Sequence, residues 1–216
     1  MATVLSPGDL AIVQYNSSTT TTDSFTFVFA RDIEAGTEVN FTDNGWLASG
    51  GFRAGEGTVT YTAATAITAG TIVTLSGLAL DIAGDQIIAY QGDAATPTIL
   101  HLVEFADGNN TVAGDATDAN TTALPPGFTL GVNAVALAFD STLYAGPIRS
   151  SREVSFAALN NSANWIDGNA LLPSFRYFYP AHLDLDANNS TSGGVDYRAE
   201  VTNDSTAVPS PIPTAT

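Results

Sequence analysis

The chain has 216 residues, of which 13% are charged, and 22 acidic residues against 6 basic ones give a formal net charge of -16. This charge repels phosphate backbones and anionic lipid surfaces, which excludes nucleic acid as a partner, while divalent cations suit such a field. The absence of cysteine excludes disulfides and thiolate-held metals. No apolar stretch approaches the ~18 residues of a membrane span, so no membrane insertion is expected.

Short runs rich in β-branched and aromatic residues, each ending in Gly, Asp, Asn or Pro, predict strands along most of the chain. The predicted strands are residues 9–15, 24–30, 38–42, 57–62, 71–75, 86–90, 98–105 and 133–139. In the second run, Phe25, Phe27 and Phe29 alternate with smaller residues, which is typical of a strand with one buried face. Strands at this spacing predict an all-β fold, an antiparallel β-sandwich.

One short helix is predicted near residues 151–160. Ser150 and Glu153 have the spacing of a capping box, and an apolar run follows until Asn160. The amino-acid composition changes after Pro180, so we expect a β-sandwich domain over residues 1–180. Residues 181–216 are then an acidic, Asx-rich segment with a Pro-rich C-terminal extension, which is expected to be extended.

A set of motifs spread over residues 7–167 carries a resemblance. It includes Pro7-Gly8-Asp9-Leu10, Phe41-Thr42-Asp43-Asn44-Gly45-Trp46, Gly84-Asp85-Gln86, Ala123-Leu124-Pro125-Pro126-Gly127 and Ala163-Asn164-Trp165. With these motifs the chain resembles an uncharacterised β-domain of large exported bacterial surface and matrix proteins, those of cyanobacteria especially. The resemblance implies an extracellular β-module and supplies no function. The order of the motifs is also similar to that of immunoglobulin sandwiches of the lamin-tail type.

The turn after the third predicted strand has two interpretations. Asp43-Asn44-Gly45 is a tight-turn signal in which Asn or Gly accepts a positive φ, and Trp46 is expected to fill the core. Arg53 and Glu56, three residues apart, are expected to form an ion pair that braces this turn. Alternatively, Asp43, Asn44 and Glu56 offer oxygen ligands to a calcium ion.

A second candidate calcium site lies near the C-terminus. Asp184, Asp186 and Asn188 alternate along one segment, and Asp196 follows downstream. Alternating oxygen-bearing side chains suit a hard cation, although the pattern departs from the EF-hand loop. The segment resembles strands that join modules in bacterial cadherin-like repeat proteins. The other interpretation is a solvated Asx-rich turn.

The sequence offers little for catalysis. His101 lies in an alternating strand, which favours a surface or pairing histidine over a general base. The chain has no Gly-x-Ser-x-Gly elbow, phosphate-binding loop or His-Glu-x-x-His motif. We therefore expect a protein that is not an enzyme.

The leading hypothesis is a non-catalytic structural or adhesive subunit that self-assembles, as a homo-oligomer or polymer, into a surface layer, filament or matrix stabilised by cations. Three alternatives stay open: a module that binds polysaccharide or another surface through an aromatic platform at 175–179, a phosphoesterase-associated or hydrolytic domain, and a virion decoration or tail protein. The N-terminal residues lack the charged and apolar regions of a signal peptide. The protein is therefore expected to be cytosolic or virion-borne, or to reach the extracellular or cell-surface location of the leading hypothesis by a leaderless route or after removal of a leader.

Overall fold

The computed structural model describes residues 1–17, 23–105, 111–144, 153–167 and 184–186. The strands of these ranges are β1 (Leu10–Asn16), β2 (Ser24–Phe29), β3 (Glu38–Thr42), β4 (Thr58–Thr62), β5 (Ile72–Ser76), β6 (Asp85–Gln91), β7 (Thr98–Phe105), β8 (Ala134–Leu137), β9 (Ser141–Tyr144), β10 (Glu153–Ser155), β11 (Trp165–Asp167) and β12 (Asp184–Asp186). The helices are α1 (Phe156–Leu159) and a 3-10 turn (Ser162–Asn164). Within these ranges, no helix has the length and apolar character needed to cross a membrane.

Ten of these strands form two sheets of five, and β10 and β12 form a separate parallel pair. The first has the order β11-β9-β1-β2-β5 and the second the order β4-β3-β6-β7-β8. Within these two sheets, neighbouring strands are antiparallel except β7 and β8, which run parallel. The prediction of an all-β sandwich is confirmed, and each of the eight predicted strands overlaps an observed one.

Aromatic side chains fill the space between the sheets. The rings of Phe27 on β2 and Phe41 on β3 lie 4.6 Å apart, and Tyr15 on β1 stacks on Phe105 of β7 at 4.1 Å. These four side chains are essentially inaccessible to solvent. Burial of a large apolar side chain contributes about 1.5–3 kcal/mol, so this cross-sheet cluster is a main reason why the sheets associate. The contacts also place β2 over β3.

A second apolar cluster covers the opposite face of the β4-to-β8 sheet. It contains Trp46, Ile88, Tyr90, Ile99, Leu102, Ala123 and Ala134. Trp46 meets Phe52 edge-on at 5.1 Å. Trp46 is therefore buried as predicted, but outside the sandwich rather than between its sheets. The residues of β6 and β7 alternate between the two clusters, which explains why both strands are buried on both faces.

The predicted helix is shorter than expected. α1 covers Phe156–Leu159, whereas Glu153, predicted to complete a capping box, begins the strand β10. Ser150 lies outside the described residues. Parallel pairing of β10 with β12 keeps the chain extended up to Ser155, so the helix starts after that pairing ends. β12 belongs to the predicted C-terminal segment, and the boundary at residue 180 stays a prediction.

Candidate functional site

The second sheet ends in an open edge formed by β4. In the described part of the chain, β4 pairs with β3 on one side and with no strand on the other. Thr58, Thr60 and Thr62 are exposed, while Val59 and Tyr61 are half-buried against the core. The edge thus presents a threonine row to solvent and rests on an apolar underside.

This edge lacks the features that usually block strand pairing. β4 contains no charged residue and no proline, and its register with β3 is unbroken by a bulge. β5, the edge of the other sheet, is also uncharged and free of proline. Both edges lie on the same side of the sandwich because β2 lies over β3. We call β4 and β5 together the open side.

Asp43 is positioned directly after β3 and joins three segments. Its Oδ1 accepts a hydrogen bond from the Gly57 N–H at 2.6 Å, and its Oδ2 accepts one from the Ala79 N–H at 3.1 Å. The residue is 1% exposed. Burial raises the pKa of the Asp43 carboxyl, while the two N–H donors act in the opposite direction. The carboxylate therefore fixes where β4 begins and how the chain returns towards β6.

Asn44 and Glu56 complete the turn. The Asn44 Oδ1 accepts the Glu56 N–H at 3.0 Å, and its Nδ2 donates to the Thr42 Oγ1 at 2.8 Å. The expected ion pair is present, with Arg53 Nη1 at 3.5 Å from Glu56 Oε2. Burial, and then the nearby Asp43 carboxylate, raise the pKa of Glu56 to about 7 despite Arg53. The turn is thus braced by side-chain bonds to the backbone as well as by this pair.

Gly45 is required for a different reason from the one predicted. It does not have the positive φ of a tight turn. Instead, a Cβ at this position would overlap the carbonyl oxygen of Thr121 and contact Ala116. Segment 116–121 therefore crosses directly over the glycine, and it is this close approach that excludes a side chain.

Asp85 and Gln86, which were not predicted as site residues, lie beside this turn. The Asp85 carboxylate accepts the N–H groups of Gln86 at 2.7 Å and Asp81 at 2.9 Å, and burial raises its pKa to about 8. Gln86 is 0% exposed, and its Nε2 donates to the carbonyl oxygens of Ala119 and Asp43. The sequence signal for this pair is two polar residues at the start of a strand, directly after Gly84. Alternation along a strand predicts that one of the two side chains faces solvent, so it does not predict that both are buried.

The arrangement of this turn is that of a structural clamp. The oxygens of Asp43 and Asn44 predicted as calcium ligands face backbone N–H groups, which a cation would have to displace. No group of three or more His, Asp or Glu side chains in the described ranges is placed to hold a metal ion. Calcium binding by Asp43, Asn44 and Glu56 stays a prediction.

Two of the four C-terminal calcium candidates, Asp184 and Asp186, lie in the described residues. The backbones of Asp184 and Asp186 lie in β12 opposite Glu153 and Ser155. Asn188 and Asp196 lie outside the described residues, as does the predicted aromatic platform at 175–179. The prediction of a second calcium site is therefore unchanged.

His101 is buried, not on the surface. It is 0% exposed, its Nδ1 accepts the Ile12 N–H at 3.2 Å, and its Nε2 lies 3.2 Å from the Asn160 Oδ1. The first bond places the ring proton on Nε2, which then donates to Asn160. Burial lowers the pKa of His101 to about 4. The imidazole therefore links β7, β1 and the end of α1 as a pairing residue.

Comparison of the chain with protein-family models, with curated proteins and with solved structures found no match. The family resemblance of the motifs therefore stays a proposal.

Proposed function

We propose that this protein is a non-catalytic structural subunit that assembles with further copies through strand addition at its open side. The observation that carries the proposal is the uncharged β4 edge. Exposed N–H and C=O groups of an edge strand form a template for another strand. Natural proteins protect such edges with lysine, proline, bulges or short strands. β4 has five residues and contains no lysine, no proline and no bulge.

The rigidity of the site fits a subunit better than an enzyme. The buried polar groups of Asp43, Asn44 and Asp85 accept backbone N–H groups of neighbouring segments rather than converging on a space for a substrate. This arrangement fixes the start of β4, which keeps the edge straight and ready to pair. We further propose an extracellular or cell-surface location, with calcium acting as a counterion that relieves the net charge of -16.

The test is a charge placed on the edge. Thr60→Lys puts an ammonium group at the centre of β4, where two paired copies would oppose like charges. Sedimentation velocity over a range of concentrations should detect association of the wild-type protein, and the substitution should raise the dissociation constant about tenfold or more. The matched control is Thr98→Lys, which adds the same charge at an exposed position of β7, an interior strand.

The outcomes separate clearly. Weakened association in Thr60→Lys, with unchanged association in Thr98→Lys, supports the proposal. A wild-type protein that stays monomeric at all concentrations, with and without calcium, contradicts it. Equal association of all three proteins would place the interface elsewhere and would also contradict it.

A further inference from the structure

The backbone of β4 alternates between its partner strand and the open edge. The Ala63 N–H donates to the Thr37 carbonyl at 2.9 Å, which directs the backbone of Ala63 towards the β3 side. The Gly57 N–H likewise turns to that side, towards Asp43. Because hydrogen-bonding direction alternates along an antiparallel ladder, Thr58, Thr60 and Thr62 point their N–H and C=O groups outward.

The polar and apolar positions of β4 are arranged symmetrically about its centre. The strand reads Thr-Val-Thr-Tyr-Thr from Thr58 to Thr62. If a second β4 is laid antiparallel about a twofold axis at Thr60, threonine meets threonine at every outward position, and Val59 meets Tyr61 of the second copy. Thr–Thr and aromatic–β-branched pairs are favourable cross-strand pairs. This register also uses all three outward residues of both strands.

The charges beside the edge favour the same direction. Glu38 on β3 lies opposite Thr62 and is the acidic side chain of β3. Antiparallel pairing places the Glu38 carboxylates of the two copies at opposite ends of the ladder, offset by about 14 Å along the strands. Parallel pairing in register would place them level with each other. In a chain of charge -16, the arrangement that separates these carboxylates is favoured.

The second sheet fits the same symmetry. A twofold axis perpendicular to the sheets also brings β5 of one copy towards β5 of the other, because both edges lie on the open side. Val59, Tyr61, Val73 and Leu75 are half-buried along this side and pack on the core. A second copy placed here covers the apolar seam that these side chains form between the two edges.

We infer that the partner at the open side is a second copy of this chain, paired β4 to β4 in antiparallel register about Thr60. This inference rests on the proposed function and specifies its interface. It assigns the assembly an isologous contact, so the same residues act on both sides of the axis.

The register can be measured with single nitroxide labels. The chain has no cysteine, so Thr58→Cys, Thr60→Cys and Thr62→Cys each carry one label. Continuous-wave dipolar broadening for short distances, together with pulsed dipolar spectroscopy for longer ones, should give the shortest distance for Thr60→Cys in the associated protein. The labels of Thr58→Cys and of Thr62→Cys should each be farther apart, with backbones offset by about 14 Å along the strands. Mixing Thr58→Cys with Thr62→Cys should restore a short distance that neither variant shows alone.

Sedimentation of each labelled variant, run beside the distance measurement, distinguishes a wrong register of β4 from a protein that does not associate. Association with three equal short distances indicates parallel pairing and overturns the inference alone, as does association in which none of the distances is short. Loss of association in one variant still leaves the mixing experiment and the other labels to fix the register. Absence of association in the unlabelled protein overturns the proposed function itself.

Discussion

His101 shows how one buried side chain couples the fold to pH. Its neutral ring accepts the Ile12 N–H and donates to Asn160, whose Nδ2 in turn donates to the Phe156 carbonyl at 2.8 Å. Protonation of Nδ1 would remove the acceptor for the Ile12 N–H and place an unsolvated charge in the core. The low pKa of His101 follows from this environment.

We expect His101 to make the protein less stable in acid. Its pKa is about 4 when folded and ordinarily 6.5, so the unfolded chain binds more protons between these values. This contribution to the free energy of unfolding is present above pH 6.5 and is lost as the pH falls to 4, by roughly 3 kcal/mol. Urea unfolding of wild type and His101→Gln at several pH values should show the stability difference between them shrinking over this range.

The comparison with a variant is needed because buried carboxyls act in the opposite direction. The raised pKa values of Glu56 and Asp85 mean that the folded protein binds more protons than the unfolded chain up to about pH 7 and 8. Their contribution makes the protein less stable as the pH rises. Wild type and His101→Gln share these carboxyl groups, so the difference in stability between the two proteins isolates the effect of His101. A stability difference that stays constant from pH 4 to 7 would contradict the assignment.

At the scale of elements, Asp43 connects the end of β3 to the residues that precede β4 and β6. Asp43→Ala leaves the N–H groups of Gly57 and Ala79 without their acceptor. Loss of these bonds should lower the free energy of unfolding by roughly 2–4 kcal/mol. Because the bonds are internal to the chain, the loss should be the same in calcium and in chelator, as measured by urea unfolding.

The calcium interpretation of the same residue gives a different result. If Asp43 ligates calcium, Asp43→Ala should destabilise the protein strongly in calcium and only weakly in chelator. Asp32→Ala is a matched control, because Asp32 is exposed and its Oδ1 accepts one backbone N–H, that of Ala69 at 2.8 Å. A calcium-dependent loss of stability in Asp43→Ala, but not in Asp32→Ala, would indicate a metal site instead of a structural clamp.

The elements that sequence could predict are those with a local signal. Alternation or an apolar run identified β1 to β8 with boundaries close to the observed ones. β9 and β11 were missed because their pairing with β1 and with each other comes from distant parts of the chain. β10 was read as helix because its pairing with β12, some thirty residues away, has no local signature.

The same limit applies to the turn around Asp43. Residue types gave the Arg53–Glu56 pair, which requires a spacing of three residues. They did not give the role of Gly45 or of Gln86, because both depend on segment 116–121 folding over the turn. Contacts between segments far apart in sequence are set by packing, which periodicity does not encode.

At the scale of the whole molecule, charge opposes the assembly that the open side favours. Two copies at a net charge of -16 repel each other at every separation shorter than the screening length, which is about 10 Å at 0.1 M salt. The two edge strands contribute no charge, since β4 and β5 contain no charged residue. Salt therefore weakens the repulsion without weakening the contact.

We expect association to strengthen with ionic strength. Raising sodium chloride from about 0.02 M to about 0.5 M should lower the dissociation constant of wild type by about tenfold, measured by sedimentation equilibrium. Thr98→Lys should follow wild type, whereas Thr60→Lys should stay weaker at both salt concentrations. Association that weakens as sodium chloride rises would indicate contacts made by opposite charges or by bridging cations, because salt screens those. The uncharged edge of β4 would then not be the surface that joins the copies.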